Sequence, residues 1–115
     1  MKERRYTDRK AVRLPVRFRV LEGGYEVDKL ALSSVHSGYV RDLGTNGAGI
    51  EATRRVVPSG YRLTVFMQWQ LPDGTWVRTA ADPVWCEPIE EGYHVGLRFV
   101  VLGDSDRKAI AKLVR

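Results

Sequence analysis

A six-stranded antiparallel β-barrel carrying one C-terminal helix is the all-β fold the sequence predicts, on three observations. Apolar and polar residues alternate through most of the chain, as they do in half-buried strands. Glycine-rich or turn-forming stretches interrupt those runs at Gly23–Gly24, at "GTNG" (44–47) and at "PDGT" (72–75). Only the tail, "GDSDRKAIAKLVR", changes to a helical period. With 115 residues and 43% hydrophobic content the chain suits one domain with a real core. The expected division is a flexible basic arm at 1–10, the barrel at 11–102 and the helix at 104–114.

The elements follow in order. "RLPVRFRV" places Leu14, Val16, Phe18 and Val20 on one face and Arg13, Pro15, Arg17 and Arg19 on the other, so the three arginines read as solvated surface. "YEVDKLALSSVHSGYVRDL" reads as extended, with a break near Ser33 and Ser34. The glycine-rich stretch turns the chain into "AGIEA". In "YRLTVFMQWQL" the apolar face is Tyr61, Leu63, Val65, Met67, Trp69 and Leu71. "PDGT" then makes a hairpin turn into "WVRTAADPVW". In "GYHVGLRFVV" Tyr93, Val95, Leu97, Phe99 and Val101 are expected inward and His94, Gly96 and Arg98 outward. Asp104 or Ser105 is the expected cap of a helix with the stripe Ala109, Ile110, Leu113 and Val114.

Charge is distributed unevenly. Residues 1–19 hold eight basic groups against two acidic, a net of +6, while the other 96 hold eleven basic and twelve acidic, a net of −1. An anionic partner is therefore expected at the N-terminus. The first residues lack the apolar core of a secretory signal, and no run approaches the roughly 20 apolar residues of a membrane span, so a cytosolic chain is expected. Cys86 is alone and reads as a buried bystander. There is no P-loop, paired-histidine metal motif or nucleophile elbow, and His36 and His94 are isolated in sequence. Neither catalysis nor a cofactor is expected.

Two stretches carry a family resemblance. "RRYTDRKAVRLPVRF", followed by "RDLGTNGAGIEA", "PVW" and "GYHVGLRF" before the final helix, resembles the PilZ domain, a receptor module for the bacterial second messenger cyclic di-GMP. The resemblance covers nearly the whole chain. Its signatures are an Arg-x-x-x-Arg motif on an N-terminal arm, matched by Arg5 and Arg9, and an (Asp/Asn)-x-Ser-x-x-Gly motif on the barrel, matched at its ends by Asp42 and Gly47. The middle departs from the pattern, with Gly44 where the family has serine. The resemblance also implies a role for Arg4, since members often use an additional arginine beside the motif, and for Gly96, which aligns with a glycine near the site. Trp85 either fills the core or borders the ligand.

The chemistry of these residue types agrees with that ligand. An arginine fork bonds phosphate or the O6 and N7 of guanine, and its flat face stacks on a base. The Asp42 carboxylate can accept from the N1 and N2 hydrogens of guanine. Gly44 and Gly47, having no Cβ, allow unusual dihedrals and let backbone N–H groups approach the ligand, and Asn46 can tolerate a left-handed conformation in the same turn. The leading expectation is a cyclic di-GMP receptor that orders its arm on binding and signals to an unknown protein effector. Three alternatives follow: a degenerate PilZ domain acting as a nucleotide-independent interaction module; a small barrel binding single-stranded nucleic acid, a less expected partner; and, last, an enzyme.

Overall fold

Each apolar run between the turns becomes a strand whose inner residues share one core. The computed structural model describes residues 9–22, 34–53, 55–56 and 63–115. Their strands are β1 (Lys10–Glu22), β2 (His36–Leu43), β3 (Gly47–Ala52), β4 (Leu63–Gln70), β5 (Trp76–Ile89) and β6 (Gly92–Val101), followed by helix α1 (Asp104–Val114). All neighbours are antiparallel and the sheet closes in the order β1-β2-β3-β6-β5-β4. Among the described residues, closure leaves no sheet edge. Arg4, Arg5, the 25–33 part of the ambiguous segment, and Tyr61 lie outside the described residues.

The barrel interior is apolar because the alternation is. Val16 and Phe18 of β1, Val40 of β2, Ile50 of β3, Val65, Met67 and Trp69 of β4, Val77 and Ala81 of β5, and Val95 and Leu97 of β6 are all buried in one cluster. Helix α1 adds Ile110, fully buried, with Ala109, Leu113 and Val114 packed beside it, as the helical stripe requires. Burying Ile110 alone stabilises the docked helix by about 1.5–3 kcal/mol. Polar ties support it: Arg107 Nη1 donates to the Thr45 carbonyl at 2.7 Å, and Lys10 Nζ to the Leu113 carbonyl at 3.3 Å. The β4–β5 turn forms as its sequence dictates, with Gly74 at φ +94 and the Asp73 carboxylate accepting from Thr75 N at 2.9 Å. That bond holds the Asp73 carboxyl below its ordinary range.

Four expectations need correction. Lys10, assigned to the arm, pairs with Leu43 as the first residue of β1. Neither Asp104 nor Ser105 caps α1; Gly103 takes the N-cap position in an extended conformation with no side-chain cap, so Asp104 and Asp106 fall in the first turn, where they complement the helix dipole. Val101 is not inward but 58% exposed. The cause is a bulge: Ala81 pairs with Phe99 but Ala80 with Val101, so Val100 is an extra residue and the alternation inverts. Arg19, finally, is half-buried where solvated surface was expected, although Arg13 and Arg17 are exposed. Cys86 is half-buried against the core.

Candidate functional site

Two further bulges build a site on the outer wall of the barrel. In β2, Val40 pairs with Ile50 and Asp42 with Gly49, so Arg41 is extra and Asp42, which strict alternation would turn inward with Val40, faces out. In β5, Pro83 pairs with Leu97 and Trp85 with Gly96, so Val84 is extra and Trp85 likewise faces out. Gly49 and Gly96 pair with each other in β3 and β6. The two re-aimed side chains therefore flank one pair of glycines.

Glycine is required here by what lies above it. A Cβ on Gly96 would collide with the Trp85 indole, and one on Gly49 with Asp42 Oδ2 and, at 2.8 Å, with His94 Nε2. A Cβ on Gly47 would strike the Leu97 carbonyl and stand 3.1 Å from Arg9 Nη2. Three glycines thus form a bare floor, covered by Arg9, Asp42, His94 and Trp85.

The covering groups are linked. Arg9 Nη1 donates to Asp42 Oδ1 at 2.7 Å. His94 Nε2 stands 3.7 Å from the other carboxylate oxygen of Asp42, and its ring meets Trp85 edge-on at 4.7 Å. His94 Nδ1 has Arg41 Nη1 and Glu87 Oε1 each at 3.4 Å. Trp85 is 37% exposed and stands outside the core cluster, beside His94 on the outer wall. Together these groups offer a guanidinium fork, an acceptor carboxylate, an indole face and a floor of peptide backbone, a set suited to a flat, anionic, hydrogen-bonding ligand.

Of the residues expected from sequence, Arg9, Asp42, Gly47, Trp85 and Gly96 come together on this wall. Arg4 and Arg5 are not among the described residues. Gly44 is buried in the β2–β3 turn, where its N–H donates to the Gly47 carbonyl at 2.9 Å. Asn46 points elsewhere: its side-chain oxygen accepts from Arg107 at 3.4 Å and its carbonyl from Phe99 N at 2.9 Å. The dihedral freedom that these residues allow is not used here. No described non-glycine residue has positive φ, and neither Gly44 nor Gly47 does, so Asn46 is not left-handed and Gly47 is needed for close approach to β6 instead. Gly49 and His94 were missed. Strand alternation did turn His94 outward; the pairing of Glu51 and Glu87 with it, which sets it beside Asp42, is a property of register.

A closed six-stranded barrel with a C-terminal helix, bearing its polar cluster on the outer wall, defines a small β-barrel domain. The model of the PilZ domain matches residues 3–115, and the chain belongs to the PilZ domain family. No curated protein matches it in sequence. Two solved structures show the same fold. The Bacillus subtilis inhibitor of motility (MotI/DgrA) is similar with a TM-score of 0.69 and 13% identity over 92% of this chain, which spans 47% of that protein. The PilZ domain of CeSA from a cellulose synthesizing bacterium has a TM-score of 0.57 and 20% identity, over 92% of this chain and 93% of that one. Among the described residues no helix is long and apolar enough to cross a membrane.

Proposed function

We propose that this chain is a cytoplasmic receptor for cyclic di-GMP, with no catalytic role and no cofactor, that binds the nucleotide on the glycine floor and signals to a protein effector. The observation that carries the reading is the junction of Arg9 with Asp42 above Gly47 and Gly49, which joins both motifs of the family at one place. Arg5 and Arg9 bind phosphate and guanine edges, with Arg4 as an added cation. Asp42 accepts from the N1 and N2 hydrogens of one guanine, and Trp85 and Gly96 border the base. Asn46 makes no ligand contact, since its side chain faces Arg107.

The ligand also acts on the chain. Drawing the arm across the barrel orders roughly 5 to 8 residues at about 1–2 kcal/mol each, so the phosphate and guanine contacts must exceed that sum before affinity appears. The ordered arm, beside Asp42 and Gly47, is the surface an effector reads. A second reading, a PilZ domain that has lost its nucleotide and serves only as an interaction module, is favoured by one feature, Gly44 in place of the motif's serine. Titration with cyclic di-GMP, alone and against a single-stranded oligonucleotide at moderate salt, separates the readings. A receptor binds the nucleotide and keeps it, an interaction module binds neither, and a nucleic-acid barrel prefers the oligonucleotide.

A further inference from the structure

His94 is the cover of the floor that the nucleotide reading leaves without a role. Its side chain is 13% exposed, and its Nε2 is buried with no hydrogen-bond partner. Asp42 Oδ2, at 3.7 Å, is too distant to serve as one. The ring is nevertheless fixed: the Trp85 indole meets it edge-on, and Arg41 and Glu87 flank Nδ1. Gly49 beneath keeps the space next to Nε2 open, since a Cβ there would lie 2.8 Å from that nitrogen. A buried polar atom held in position without a partner calls for one.

We propose that His94 is a specificity-determining residue of the nucleotide site, its Nε2–H donating to the O6 carbonyl of the guanine whose N1 and N2 hydrogens Asp42 accepts. The inference rests on the cyclic di-GMP reading. O6 is adjacent to N1 on the guanine edge, as Nε2 is adjacent to the Asp42 carboxylate on the protein, so one histidine and one aspartate cover the whole edge. Arg41 can only donate, so when Nδ1 accepts from it the ring hydrogen lies on Nε2, facing the floor. Adenine, with an amino group at this position, is refused by the same donor.

The test is calorimetric titration of wild type, His94→Ala and His94→Gln with cyclic di-GMP, beside nitrogen-15 NMR of the histidine ring in the wild type. Alanine should weaken binding about tenfold. Glutamine, whose amide nitrogen reaches about as far as Nε2, should stay within about threefold of wild type, and the Nε2 resonance should shift at saturation. Binding by the alanine variant within about twofold of wild type, or an Nε2 resonance that ligand leaves unmoved, overturns the assignment while the receptor reading stands. Absence of binding by the wild type overturns both. Should the alanine variant not fold, the glutamine variant and the wild-type resonance decide.

Discussion

Arg9 Nη1 stands 2.7 Å from Asp42 Oδ1, and this pair ties the N-terminal arginine motif to the β2–β3 motif. The side chains are 26% and 29% exposed, so the pair is shielded enough to be ordered and open enough for a ligand to enter between its members. A guanine that takes the Asp42 carboxylate competes with Arg9 for it and frees the guanidinium for phosphate or base.

Arg9→Ala and Arg5→Ala should each weaken cyclic di-GMP binding by about 1.5–3 kcal/mol, the scale of a hydrogen bond to a charged group. Arg17→Ala is the control. It pairs with Gln68 of β4 and with Ser37 of β2, and lines a separate concavity with Phe66 and Arg78, so its loss should leave affinity unchanged. Calorimetry on the three variants checks the site, and an Arg17 effect as large as that of Arg9 would move it elsewhere.

Gly44→Ser restores the hydroxyl of the motif. Because φ at Gly44 is not positive, serine is compatible with the backbone, and affinity should rise by about 0.5–1.5 kcal/mol. A lower affinity in a folded variant would show that the buried turn has no room for the side chain.

Gly47→Ala and Gly49→Ala should fail differently. The Cβ at 47 meets the Leu97 carbonyl, which the β3–β6 ladder holds, so the fold should lose about 1–3 kcal/mol in urea unfolding. At 49 it meets side-chain atoms, chiefly the end of Asp42, whose carboxylate can shift more easily than a ladder carbonyl, so stability should change less while nucleotide affinity falls. Equal destabilisation by both would remove the distinction between backbone and side-chain contact.

Saturation with cyclic di-GMP should raise the order of residues 4–8, read from backbone amide relaxation, toward that of the barrel strands. If those amides relax identically with and without ligand, the proposed arm switch fails even where the nucleotide binds.

The barrel was legible because its inner faces, such as Val65, Met67 and Trp69, keep a period of two within each strand, and α1 because Ile110, Leu113 and Val114 keep a helical one. The arginine and Asp42–Gly47 motifs marked half the site. The outward aim of Asp42 and Trp85 depends on single extra residues, Arg41 and Val84, which invert the alternation as Val100 does for Val101 away from the site. A bulge has no period of its own, so strict alternation placed Val101 inside. Gly49 and His94 were silent for a related reason, since their value comes from partners across the sheet.

The most direct test of the central claim is calorimetric titration of the wild-type chain with cyclic di-GMP, repeated on Asp42→Ala. The expected result is saturable binding by the wild type that weakens by about 1.5–3 kcal/mol when the carboxylate is removed, with the barrel still folded by circular dichroism. No heat of binding from the folded wild type, or affinity indifferent to Asp42, would contradict it.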